Sequence, residues 1–254
     1  MANDILIETQ HLSKHFGALA AVDDVDLKIH RNSLHAIIGP NGAGKTTLFN
    51  LLSGNLKPTS GKVFYNGNDI TGQPIHRMIH LGIGRSFQIT NVFPNLTVFE
   101  NIRLASQAME KGNFRFLTDA SNLKNCEERT WEVAERVGLK DKVFNLARML
   151  PHGDQRKLEL GMILAPDPEL LLLDEPTAGM AAEQVPELIK LIQEIQRGAT
   201  KTVVLVEHNM NVVMSISDTI TVMNLGKKLA EGSPQEITKN KEVQTAYLGG
   251  LYEL

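Results

Sequence analysis

Leu34-His35-Ala36-Ile37-Ile38-Gly39-Pro40-Asn41-Gly42-Ala43-Gly44-Lys45-Thr46-Thr47-Leu48-Phe49-Asn50-Leu51-Leu52 is the stretch that decides the fold. Its first residues form a compact, mostly apolar run, the pattern of a strand buried on both faces. Gly39 to Thr46 then follows G-x-x-x-x-G-K-[ST]. Thr46 to Leu52 reads as a helix, and Gly54 and Pro58 close the unit. Glycines let the backbone curl so that several N–H groups point inward at phosphate oxygens. The following helix adds its positive N-terminal end. In such a loop Lys45 reaches the β- and γ-phosphates as a point charge. The Thr46 hydroxyl is placed to ligate Mg2+. Gly39, Pro40, Asn41, Gly42, Ala43, Gly44, Lys45, Thr46 and Thr47 are therefore the candidate ATP-binding residues.

On the N-terminal side, Ile5 to Ile7 and Val25 to Ile29 read as short strands, the second alternating in and out. Lys62 to Tyr65 and Asn68 to Ile70 flank Asn66-Gly67, a hairpin signal. From about Thr97 to Leu150 the pattern is mostly helical with polar breaks, as at Glu127 to Val137, and Lys111 to Lys124 is irregular. Alternation then resumes. Leu170 to Asp174, Thr202 to Val206 and Thr219 to Met223 read as strands; Glu183 to Gln196 and Asn209 to Ile216 read as helices. This order predicts an α/β fold with a parallel sheet, interrupted by a helical lobe.

The bulk numbers exclude several classes. The 254 residues suit one large domain or a core with a small lobe. Apolar residues at 42% and charged residues at 22% are ordinary for a soluble globular protein. A net charge of −3 gives no basic surplus for nucleic acid. One cysteine, Cys126, cannot build a disulfide framework and fits a reducing compartment. No stretch approaches the roughly 18 apolar residues of a membrane span, and Met1 to Glu8 is not a secretory signal. Work at a membrane would require docking onto a spanning partner.

Two further strand ends carry chemistry. Leu170 to Leu173 is an apolar strand ending in Asp174 and Glu175. Ligands sit at the carboxyl edge of a parallel sheet. Asp174 is suited to the Mg2+ shell, and Glu175 to polarising a water for in-line attack on the γ-phosphate. Thr202 to Val206 repeats the design and ends in Glu207-His208. A lone histidine at a strand end is more often structural, but beside these motifs His208 becomes a candidate γ-phosphate contact.

In this order the motifs resemble those of the ATP-binding cassette family, the motor subunits of ABC transporters, over nearly the whole chain. The resemblance implies a P-loop cassette with a parallel-sheet core, an N-terminal antiparallel β subdomain and an inserted helical lobe. It divides the chain into a core of residues 1–88 and 155–254 and a lobe of residues 89–154. It gives Phe16 an adenine-stacking role and Gln88 a role at Mg2+ and the attacking water, with a link to the transmembrane permease subunits. It makes Asp174 a ligand of Mg2+ through water, Glu175 and His208 the hydrolytic pair, and Pro151, His152, Gly153, Asp154 and Gln155 the signature. Two cassettes pair head to tail in this family, each signature closing the other chain's ATP site. Gly153-Asp154-Gln155-Arg156-Lys157-Leu158-Glu159, Thr177-Ala178-Gly179-Met180, Ala230-Glu231-Gly232 and Ala246-Tyr247-Leu248-Gly249 resemble branched-chain amino acid uptake cassettes. Amide or urea uptake and lipopolysaccharide export are the alternatives. The implied location is peripheral, on the cytoplasmic face of the inner membrane, served indirectly by a periplasmic or surface substrate-binding protein and without nucleic acid.

Two departures stand out. The family signature begins Leu-Ser-Gly-Gly-Gln, and here it reads Leu150-Pro151-His152-Gly153-Asp154. Proline offers neither hydroxyl nor N–H, although it suits a helix start. The family's aspartate is also missing from Ala178-Gly179-Met180-Ala181. Both weaken the contact to a partner's ATP and point to an asymmetric heterodimer with a sister cassette.

Overall fold

Branched side chains in Leu34–Ile38 favour the extended backbone, and all five residues are buried in a strand. The structure, a computed structural model, describes residues 4–86, 92–107, 120–198 and 201–248. The described strands are β1 (Ile5–Phe16), β2 (Leu19–His30), β3 (Leu34–Ile38), β4 (Ser60–Tyr65), β5 (Asn68–Asp69), β6 (Ile83–Arg85), β7 (Leu170–Asp174), β8 (Thr202–Val206), β9 (Thr219–Asn224) and β10 (Lys227–Gly232). The described helices of four residues or more include α1 (Lys45–Leu52), α2 (Ile75–Met78), α3 (Val98–Gln107), α4 (Ala120–Arg136), α5 (His152–Leu164), α6 (Val185–Gly198), α7 (Met210–Ile216) and α8 (Pro234–Lys239).

One sheet runs in the order β10-β9-β3-β8-β7-β6. All its pairings are parallel except β9 with β10. Val206 faces Ile37 on one side and Asp174 on the other. The chain therefore leaves β3, β8 and β7 at one level of one edge, where ligands bind in such sheets. Strand β7 shows why the core strands carry no polar alternation. Leu171 and Leu173 join the cluster that holds Ile102, Val133 and Leu188, while Leu170 and Leu172 join the one that holds Leu27, Phe49 and Val63. Both faces are covered, so both faces are apolar.

The second sheet is antiparallel, in the order β2-β1-β4-β5. Its first two strands are far longer than the short runs expected from sequence, 12 residues each. The register of the pair shifts between Thr9 and Leu12 and again around Lys14. His11 (φ 51°) and Asp24 (φ 55°) occupy the left-handed region there. Such bulges break the period of two that marks a strand, which is why sequence pattern caught only the ends. The Asn66-Gly67 turn is as expected, with φ of 51° and 75°.

Helices α3, α4 and α5 pack on one another through Ile102, Val133, Val137 and the bare Gly161. Helix α5 runs without interruption through position 154/155, where the sequence division falls. Helix α6 starts at Val185, later than the expected Glu183. Pro186 in its first turn pins that start. No described helix is long and apolar enough to cross a membrane.

Candidate functional site

The loop from Gly39 to Gly44 owes its path to two glycines. A Cβ on Gly39 would lie 2.3 Å from the Met223 carbonyl oxygen, and one on Gly44 2.2 Å from that of Ala21. Gly44 also has φ 98° as the residue before α1. Any side chain there would collide with backbone in a conformation it resists. Lys45 is buried, and its Nζ donates to the carbonyls of Gly39 at 2.8 Å and Pro40 at 3.0 Å. Burial lowers its pKa, while the Glu175 and Asp174 charges oppose that shift. Thr46 is exposed and Thr47 half-buried at the start of the helix.

A cleft of about 630 Å3 opens over this loop. Asn41 through Thr47 line it, together with the apolar side chains of Phe16, Leu19 and Leu225 and with Glu175 and His208. Phe16 is 49% exposed, and the Lys14 Nζ lies 5.2 Å from its ring centroid. Leu19 and Leu225, more exposed still, were not singled out from sequence. A lone leucine before a glycine carries no signal until the β9–β10 turn brings Leu225 to the cleft.

Glu175 is held in the left-handed region at φ 48°. This is strain of the kind active sites store. Its N–H donates to the Val206 carbonyl at 2.8 Å. Its Oε1 lies 2.8 Å from His208 Nε2. Asp174, one residue earlier, is only 2% exposed, and neither carboxylate oxygen has a hydrogen-bond partner among the described residues. Burial pushes its pKa up to about 6, with the Glu175 charge adding; Arg85, His208 and Lys45 oppose the shift. Its N–H donates to Ser86 Oγ at 2.8 Å. The Arg85 guanidinium donates to Ser53 Oγ and to Asn50 Oδ1 at 2.6 Å and lies over the Phe49 ring. The sequence reading overlooked Arg85, because its partners lie more than thirty positions away. Gln88 lies outside the described residues.

The signature residues do not line the cleft. Pro151 is the residue before α5, with φ −55° and ψ 153°. His152 and Gly153 open the helix, and the His152 ring lies beside Gly179. Asp154 accepts from Lys142 and lies 3.5 Å from Lys157. Gln155 turns inward, its Nε2 donating to the Leu150 carbonyl at 3.0 Å. On another face, Ile75, Met78, Phe93, Met162 and Ile163 line a largely apolar groove of about 530 Å3 between core and helices.

The chain is similar to known proteins along nearly its whole length. The ABC transporter family model matches residues 22–178. That for the branched-chain amino acid ATP-binding cassette transporter matches residues 227–252. The chain is 38% identical over 249 residues to the high-affinity branched-chain amino acid transport ATP-binding protein LivG of Escherichia coli K12, covering 96% of this chain and 98% of that protein. It is 39% identical over 251 residues to BraF of Pseudomonas aeruginosa, described in the same words, with coverage of 96% and 98%. The lipopolysaccharide export system ATP-binding protein LptB of Haemophilus influenzae is 29% identical over 249 residues, covering 98% and 99%. Among solved structures, an ATP-binding cassette of an ABC transporter superposes with a TM-score of 0.85 at 26% identity, covering 96% of this chain and 99% of that one. A cleft that gathers loop, acid and histidine, in a sequence matched from end to end, leaves one assignment: the chain belongs to the ABC transporter family, as an ATP-binding and ATP-hydrolysing cassette.

Proposed function

We propose that this cassette is the motor subunit of a membrane transporter that imports branched-chain or other hydrophobic amino acids. The observation that carries the cargo reading is the near-full-length similarity to LivG and BraF, reinforced at the C-terminal residues 227–252. Residues 1–88 and 155–254 act as the core and residues 89–154 as the lobe. ATP lies along Gly39 to Thr47 with its base against Phe16. Lys45 leaves the Gly39 and Pro40 carbonyls for the phosphates. Glu175 orients the attacking water, and His208 holds Glu175 and the γ-phosphate in one frame. Hydrolysis returns the cassette to an open form.

The residues present fit Mg2+. Asp174 is a buried carboxylate with both oxygens unpartnered among the described residues, Thr46 on the loop is exposed, and Mg2+ is held by one or two such groups plus substrate phosphates. Thr46, Asp174 (through water) and Gln88 would hold it. When bound, it neutralises charge on the β- and γ-phosphate oxygens.

The transmembrane permease subunits dock in the apolar groove beside Phe93, which keeps the cassette on the cytoplasmic face of the inner membrane. A periplasmic or surface binding protein delivers the cargo. A sister cassette completes the ATP site through its own signature, while Pro151 leaves the sister's site short of one hydroxyl and one N–H. A lost charge-assisted hydrogen bond costs roughly 1.5–3 kcal/mol. Glu175→Gln in the assembled transporter should thus cost more ATPase activity than the same change in the sister. Equal losses would remove the asymmetry.

The cargo is tested by isolating the chain with its native membrane subunits and measuring uptake of leucine, urea and a short-chain amide into vesicles. Leucine uptake that disappears with Lys45→Ala is expected. Uptake of urea or the amide alone favours the second reading, and copurification with lipopolysaccharide the third, for which the similarity to LptB speaks.

A further inference from the structure

Glu207 and His208 leave strand β8 together but end in different surroundings. His208 is exposed and lines the cleft, whereas Glu207 is 3% exposed and does not. The buried carboxylate divides its two oxygens between two segments. Oε1 accepts from the Thr177 hydroxyl at 2.6 Å and the Thr177 N–H at 3.1 Å. Oε2 accepts from the N–H of His208 at 3.1 Å and, more loosely, of Asn209 at 3.4 Å. A carboxylate gathering several N–H and O–H donors makes stronger bonds than a neutral acceptor would.

Thr177 is two residues beyond Glu175, in a turn closed by Ala178 N–H to Glu175 O at 3.0 Å and Met180 N–H to Thr177 O at 3.2 Å. That turn cannot shift at Thr177 without shifting Glu175. The signature helix joins the same turn, since Arg156 donates to the Ala178 carbonyl at 3.2 Å. Glu207 thus joins the backbones that carry Glu175 and His208, whose side chains meet at 2.8 Å and line the cleft.

We propose that Glu207 is a positioning residue for ATP hydrolysis: it staples the Glu175 turn to the His208 backbone, fixing the spacing at which carboxylate and imidazole meet the γ-phosphate. The inference rests on Glu175 and His208 acting as the hydrolytic pair. Because Glu207 does not itself line the cleft and meets His208 only through its backbone N–H, its loss acts on turnover and not on ATP binding.

The test uses the full chain assembled with its membrane and cassette partners. Glu207→Gln keeps the volume but turns one acceptor into an amide NH2 that faces N–H donors. We expect kcat to fall by about tenfold to a hundredfold, with KM and binding of a fluorescent ATP analogue within about twofold of the original. Thr177→Val should lower kcat less, because the Thr177 N–H remains, and Thr177→Ser should recover most of that loss. An unchanged kcat in folded Glu207→Gln protein, or a loss carried wholly by KM, overturns the proposal. If Glu207→Gln does not fold, the Thr177 pair decides: equal kcat for valine and serine overturns it. Glu175→Gln runs alongside. Full activity there removes the hydrolytic pair itself, and the staple with it; an inactive Glu175→Gln beside an unaffected Glu207→Gln removes the staple alone.

Discussion

At Asp174 a carboxylate is held where water does not reach it, and its pKa is raised to about 6. The folded protein therefore binds a proton between pH 4 and 6 that the unfolded chain has released. Stability without nucleotide or metal should fall as pH rises through that window and level off above it. Asp174→Asn should stabilise that form by about 1–2 kcal/mol above pH 6 and abolish Mg2+-dependent hydrolysis. Denaturant titrations at pH 4.5 and 7 check the first expectation, and equal stability gains at both pH values would contradict it. At Gly44 the constraint is steric. Gly44→Ala should cost about 2–4 kcal/mol and lose ATP binding, since a Cβ meets the Ala21 carbonyl at 2.2 Å. Thermal unfolding and analogue binding measure both. The loop and the acids were legible in the sequence because curvature and charge demand particular residue types at short spacing. Arg85 and Glu207 were not. Their meaning lies in partners such as Asn50 and Thr177, 35 and 30 positions away.

Elements follow the same division. Helix α8 begins with a capping box, the Ser233 hydroxyl accepting from Glu236 N–H while the Glu236 carboxylate accepts from Ser233 N–H. Ser233→Ala should cost about 1 kcal/mol, a fall of roughly 2–4 °C in Tm, with ATP hydrolysis unchanged. A calorimetric scan beside an ATPase assay decides it. Strands β3, β7 and β8 were readable as unbroken apolar runs, and the β4–β5 hairpin from Asn66-Gly67. The middles of β1 and β2 were not, since bulges at His11 and Asp24 place polar residues out of alternation. Helix α5 was visible only as a motif, its length hidden by a charged sequence whose Arg156, Lys157 and Glu159 are nonetheless buried.

Across the whole molecule, alternating strands and helices announced a parallel sheet, but nothing in the pattern dictates the order β10-β9-β3-β8-β7-β6. That order arises from long crossovers, which local sequence does not record. The two sheets are joined at a polar rivet. Arg31 binds Glu169 and Asn66, and the Tyr65 hydroxyl donates to Glu169 Oε2 at 3.3 Å. Arg31→Met should cost about 1–2 kcal/mol and speed hydrogen exchange in β1 and β2 before β3 and β8. Uniform exchange would show that the sheets unfold as one. Helix α5, meanwhile, is a stiff rod of 13 residues, about 20 Å long at 1.5 Å per residue. A rod of that length is a lever arm in its geometry. A tilt of about 10° about its Leu164 end sweeps its Pro151 end through roughly 3 Å, about the reach of a hydrogen bond. A small tilt at the Gly161 end of the packing is thus magnified at the Pro151 tip to the scale on which a hydrogen bond is made or lost.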